Sequence, residues 1–121
     1  ALIDTMQSLD CPVITVGEGV VASMAAVILA CGDHRQVYRH TQVLIHQLMG
    51  GTGMAQQTDI EIVAQHTAAM RTELDELLAE HGNLNAQEFH ELTERDCWCN
   101  AERALELGLV DEVIAPSKKA L

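Results

Sequence analysis

Ser23 stands just after a glycine-containing turn and in the first turn of an expected buried helix, where free backbone N–H groups and the helix dipole can stabilise an anion. A hydroxyl there could act as a nucleophile. Serine is equally a common helix N-cap, and the surrounding GVVASMA is not the G-x-S-x-G elbow. His46 follows the apolar triplet Val43-Leu44-Ile45 at the carboxyl edge of an expected strand, a position where sites collect and where an imidazole could serve as a general base. Asp96, between Thr93-Glu94-Arg95 and Cys97-Trp98-Cys99, could orient a histidine through Nδ1–H. Taken singly, each has a plainer reading: a cap, a polar strand end and a solvated carboxylate.

Other constellations carry less chemistry. Cys97-x-Cys99 lacks a second C-x-x-C or an H-x₃₋₅-H, so no metal site is expected and no cofactor is implied. Gly50, Gly51 and Gly53 lack the lysine and spacing of a P-loop. Glu73, Asp75, Glu76 and Glu80 read as the solvated face of a helix. The 121 residues carry a net charge of −11, which repels phosphate backbones and anionic lipid, so no nucleic-acid and no membrane partner is expected. The apolar run from Val20 to Cys31 is too short to cross a bilayer, and four cysteines fit a reducing compartment better than a disulfide scaffold.

The elements that must position these residues follow from periodicity and punctuation. Ala1–Leu9 reads as a helix entered partway, ended by Asp10-Cys11-Pro12, and Val13–Val16 as a strand. Gly17 and Gly19 mark a tight turn before ASMAAVILA, apolar nearly all round and therefore buried, with Gly32 as its stop. Gln36–Tyr38 and Val43–His46 are expected strands. Thr58 and Glu61 form a sequence-level capping box for a long helix to Gly82, whose Ile60, Val63, Thr67, Met70, Leu74 and Leu77 make a narrow apolar seam that wants a partner helix. Asn85 with Glu88 and Asn100 cap two further helices, the second stopped by Gly108, and Leu109–Ile114 reads as a last strand before a fraying tail from Pro116. With only Phe89, Tyr38 and Trp98 as aromatics, the core is expected from Ala, Val, Ile, Leu and Met. Strands interleaved with helices give a single α/β domain over 1–121 with some parallel pairing.

Three segments in order, GVVASMAAVILACG, VLIHQLMGG and TDIEIVAQ with LTERDCWCNAERALELGLVDEVI beyond it, resemble the proteolytic subunit family of the ATP-dependent Clp protease, ClpP. The resemblance implies a ClpP/crotonase-type fold of layered βα units with a protruding handle helix, the handle at about 47–82, and the first βα units lying before the present start. It implies a serine endopeptidase with Ser23 as nucleophile, His46 as base and acid, and Asp96 fixing the tautomer of His46. The Met24 backbone N–H would hold the oxyanion, with its second donor in the missing units. Gln47, Leu48, Met49, Gly50 and Gly51 would pair with an extended substrate, Leu48 replacing the family's usual proline. Ile60, Val63, Met70, Leu74 and Leu77 would form the interface between stacked heptameric rings of a homo-oligomer. The implied partners are unfolded polypeptide and an AAA+ unfoldase of ClpX or ClpA type, in the cytoplasm. A structural, non-catalytic subunit of a mixed ring, a phage-type or membrane-associated peptidase of the same fold, and an acyl-CoA-binding crotonase relative are the alternatives.

Overall fold

The computed structural model describes residues 1–115; the expected tail with Lys118 and Lys119 lies outside the described residues. The chain runs α1 (Leu2–Ser8), β1 (Ile14–Gly17), β2 (Val20–Ala22), α2 (Met24–Ala30), β3 (His34–Tyr38), β4 (Gln42–Ile45), α3 (Gln57–His81), α4 (Ala86–Leu92), β5 (Cys97–Cys99), α5 (Ala101–Glu106) and β6 (Glu112–Ile114). Two three-stranded sheets result, ordered β1-β3-β6 and β2-β4-β5. All pairings are parallel except β4 with β5.

The chain passes from the first sheet to the second twice, at Gly17–Val20 and at Tyr38–Gln42, and the two corners lie side by side. There the Gln42 N–H donates to the Gly19 carbonyl at 2.8 Å, and the buried Thr41 hydroxyl donates to the Gly17 carbonyl at 3.1 Å. A Cβ on Gly17 would meet Val37 Cγ1 at 2.8 Å, so glycine lets β1 and β3 run together at this corner. The expected tight turn at Gly17–Gly19 is thus a corner between sheets, and Val20–Ala22 is a strand that the short β-rich run did not announce.

Helix α2 buries Ala26, Val27, Leu29 and Ala30 between the layers, in keeping with its all-round apolar sequence. Phe89 is fully buried at the centre of the α3–α4 end of the core, with Leu107, Leu109 and Val110. The expectation of methionine in the core is corrected: Met24, Met49, Met54 and Met70 are exposed and Met6 is half-buried. Alanine fills the gaps instead, at positions 26, 30, 101 and 104.

Helix α3 spans 25 residues, about 37 Å at 1.5 Å per residue. It begins at Gln57 behind an extended Gln56 and has no side-chain cap. Thr58 therefore sits inside the helix, and Glu61 takes a hydrogen bond from Gln57 Nε2 at 3.2 Å rather than closing a capping box. The expected caps at Asn85 and Asn100 form, Asn85 with its reciprocal Glu88 bond. Gly108 (φ +72°) ends the α5 turn, and Leu109 and Val110 are buried in the approach to β6, which is shorter than expected.

One buried cation ties these elements together. Arg35, 7% exposed, binds both carboxylate oxygens of Asp111, and its Nη1 donates to the Ala30 and His81 carbonyls at 3.1 and 2.9 Å. The side-chain bond from Arg35 holds the Asp111 carboxyl below its usual range. Arg35→Met is expected to cost about 3 kcal/mol in urea unfolding, because it leaves two helix-terminal carbonyls without their donor and removes the side-chain bonds to Asp111. With the folded pKa depressed, the pair's contribution is present above the ordinary aspartate value and lost as pH falls through the folded one. Asp111→Asn should flatten the decline of stability below about pH 4, measured by denaturant midpoints across pH.

Candidate active site

Ser23 occupies the junction between β2 and α2 with φ 63° and ψ −129°, the only non-glycine with positive φ among the described residues. Such backbone costs on the order of 1–3 kcal/mol and persists where surroundings impose it. Here the Ser23 N–H donates to the Leu44 carbonyl at 3.0 Å, continuing the β2–β4 ladder, while its carbonyl accepts from Ala26 N–H at 3.0 Å to start the helix. The hydroxyl makes no cap bond, so the plain N-cap reading is set aside. This is a strand-to-helix elbow built without the flanking glycines, and it leaves Ser23 exposed. Met24 opens α2, so its backbone N–H belongs to the first turn, where no intrahelical carbonyl is available.

His46 is half-buried one residue beyond β4. Ser23 and His46 line one cavity of about 260 Å³, walled by Met24, Val27, Ile45, Leu48, Met49, Leu74 and Leu78. His46 Nδ1 bonds the Gln47 carbonyl at 2.6 Å. A carbonyl can only accept, so Nδ1 carries the proton and Nε2 is left with its lone pair. That is the tautomer a general base requires, set by the main chain.

Asp96 is exposed and makes no hydrogen bond to His46; the two residues line a second cleft with Gln47, Thr93 and Glu94. The structure thus brings Ser23 and His46 to one cavity and Asp96 to its neighbour. Gln47–Gly51 belongs to no strand; it crosses between these cavities, tethered by Gln47 Nε2 donating to the Glu94 carbonyl at 3.0 Å. Ile60, Val63 and Met70 of the seam are exposed, whereas Leu74 and Leu77 turn inward against the core of their own chain.

Sequence reasoning missed Arg71, Asp75 and Thr93, which complete the lining beside Ser23. Asp75 is buried, not solvated, and its Oδ2 meets His90 Nδ1 at 2.6 Å. The signal was there: Arg71, Asp75 and Leu78 share the helix face on which Leu74 turns inward.

Residues 1–117 match the profile of the family described as Clp protease. The chain belongs to the Clp protease family. It is 39% identical over 120 residues to the ATP-dependent Clp protease proteolytic subunit of Streptococcus sanguinis, covering 97% of this chain and 61% of that protein. The subunit of the same name from Lactococcus lactis subsp. cremoris is 38% identical over 117 residues, covering 94% of this chain and 59% of its own length. That of Streptococcus pneumoniae is 39% identical over 118 residues, with 95% and 60% covered. The chain spans about 60% of the length of these relatives. The layered parallel sheets and long helix agree with the α/β fold expected for the family.

Asp96 leads directly into β5, where Cys97 is half-buried and Cys99 buried. Burial, with Cys97 alongside, pushes the Cys99 thiol up to about 12; burial, then Glu80, pushes Cys31 to about 11. Cys11 is exposed. At pH 7.5 iodoacetamide should label Cys11 in the folded chain and reach Cys31 and Cys99 only after denaturation, as read by peptide mass. Labelling of Cys99 in the folded chain at the Cys11 rate would contradict its burial.

Proposed function

We propose that this chain is the catalytic part of a serine endopeptidase that cleaves unfolded polypeptide through an acyl-enzyme. The observation that carries the reading is the strained Ser23, at a cavity it shares with a histidine whose Nε2 is free to accept a proton. Ser23 Oγ would attack the scissile carbonyl as His46 Nε2 takes its proton, and the Met24 N–H would bind the developing oxyanion. His46 would then return the proton to the leaving amine, and water would repeat the cycle on the ester. Asp96 would stabilise the imidazolium; to reach Nδ1 it must displace the Gln47 carbonyl. The main chain of Gln47, Leu48, Met49, Gly50 and Gly51, which belongs to no strand, would bind extended substrate by strand addition, which is tolerant of sequence.

The family membership supports a subunit of a proteolytic complex working with an unfoldase of ClpX or ClpA type, cytoplasmic, in stacked heptameric rings. No helix among the described residues is long and apolar enough to cross a membrane. Ring stacking would use the exposed Ile60, Val63 and Met70, with Leu74 and Leu77 anchoring the same helix to its own domain.

A fluorophosphonate should add to the wild type at Ser23 and not to Ser23→Ala, as read by intact mass. Equal labelling of both would remove Ser23 as the nucleophile. Met70→Glu should lower the particle mass at dilute concentration by sedimentation, since stacking would bury an unpaired carboxylate.

A further inference from the structure

The two cysteines of β5 take no part in the proposed reaction. They occupy alternate positions of a three-residue strand, so both side chains leave one face while Trp98 leaves the other, 59% exposed. Their sulfurs lie 3.7 Å apart in hydrogen-bond contact, with Cys97 half-buried and Cys99 fully buried. Among the described residues no third ligand joins them to hold a metal. β5 forms the edge of its sheet and is held by β4, through Ile45 with Cys97, Leu44 with Trp98 and Val43 with Cys99. Beyond Cys99 the chain is fixed at once, by the Asn100 cap of α5 and by buried Ala101. Before Cys97 it is open, because Arg95 and Asp96 are exposed.

We propose that Cys97 and Cys99 are a reversible disulfide site, oxidised by a low-molecular-weight disulfide, and that closing the bridge draws Asp96 out of the cleft it shares with His46. That this movement slows reaction at Ser23 rests on the peptidase reading above; the bridge itself does not. Cys97, at the open end, attacks one sulfur of the oxidant as a thiolate and expels the other as a thiolate, leaving a mixed disulfide. Cys99 then loses its proton, attacks Cys97 Sγ and expels the second thiolate. Two protons and two electrons pass from the cysteines to the oxidant, which leaves as two thiols. Alternate Cα atoms of a strand are about 6.6 Å apart, the upper end of what a disulfide spans, and the sulfurs must approach to about 2.05 Å. Closure therefore shortens β5 against the extended register that β4 imposes. With Cys99 packed and Asn100 holding α5, the open end yields, and Asp96 is the next residue along it. Strain of this kind makes a bridge easy to reduce, as a switch requires.

The test holds the full chain carrying Cys11→Ser, which removes the exposed thiol, in oxidised glutathione, then denatures it in iodoacetamide and digests it with trypsin. Cleavage after Arg95 and Arg103 isolates Asp96–Arg103, which contains Cys97 and Cys99 and no other cysteine. This peptide is expected unalkylated and lighter than its reduced form by two hydrogen atoms, and dialkylated after excess reduced glutathione. Absence of the bridge, or a bridge that survives reduced glutathione, overturns the site. Fluorophosphonate should add to Ser23 at least about tenfold more slowly in the bridged chain than in the reduced one, with no such change in Cys97→Ser treated alike. Equal rates in bridged and reduced chains overturn control of the site. Hydrogen exchange reads the movement without chemistry at Ser23: amides of β4 and β5 should exchange faster in the bridged chain, and unchanged exchange overturns the movement even where Ser23 labels. A reversible bridge with faster exchange, in a chain whose reduced form does not label at Ser23, overturns the peptidase reading and supports the disulfide site by itself.

Discussion

The Arg35 guanidinium, at the C-terminal ends of two helices that wall the cavity, is the constraint on which the site depends. Its Nη1 bonds the carbonyls of Ala30 and His81, the last helical residues of α2 and α3. A cation at two helix C-termini satisfies acceptors that have no partner inside the helices and opposes the dipole of each. Asp111 then neutralises it from the turn that leads into β6. One of these helices begins at Ser23 and the other carries Arg71 and Asp75. By tying their far ends to one point, Arg35 sets where the two helices converge behind the cavity. Burying the guanidinium is costly in itself, so its value lies in geometry as much as in stability.

Strain is concentrated at the opposite end of α2. A non-glycine at φ 63° needs surroundings that over-determine it, and Ser23 has them: a ladder bond to Leu44 on one side and the first helical bond on the other. Neither partner can be given up without unpairing β2 from β4 or uncoiling the first turn. The result is a hydroxyl held away from the backbone it would otherwise cap.

Long periodic segments and local side-chain caps were legible. The extent of α3, the caps at Asn85 and Asn100, the buried α2 and the strands β1, β3 and β4 follow from spacing that acts over a few residues. The three-residue strands β2 and β5 did not, because they owe their existence to pairing with β4, a partner distant in sequence. The Thr58–Glu61 box failed for a related reason: with the N-cap at Gln56, two residues earlier, the hydroxyl falls inside the first turn. Asp75 was misread because charge was weighed above position, whereas its place on the inward face beside Leu74 and Leu78 decides its burial. The candidate residues Ser23, His46 and Asp96 were legible only as a set. Singly each has a commoner structural use, and their order along the chain is what the family resemblance recognised.

The orientation of His46 is where the fold departs from a simple three-residue relay. An imidazole needs a proton on Nδ1 to leave Nε2 basic, and either a carboxylate or a carbonyl can enforce that. Here the Gln47 carbonyl does so at 2.6 Å, while Asp96 waits in the adjoining cleft. The two acceptors are not equivalent once a proton has moved. A carbonyl fixes the tautomer but gives little to the imidazolium that forms in the transition state, where a carboxylate contributes a full charge. The same Gln47 belongs to the segment proposed to receive substrate, so drawing its main chain into an extended strand would take the carbonyl away from Nδ1 and open that nitrogen to Asp96. Under the proposed function, substrate pairing and the approach of Asp96 to His46 Nδ1 would then be one event, and Ser23 would face a fully supported base only with substrate in place.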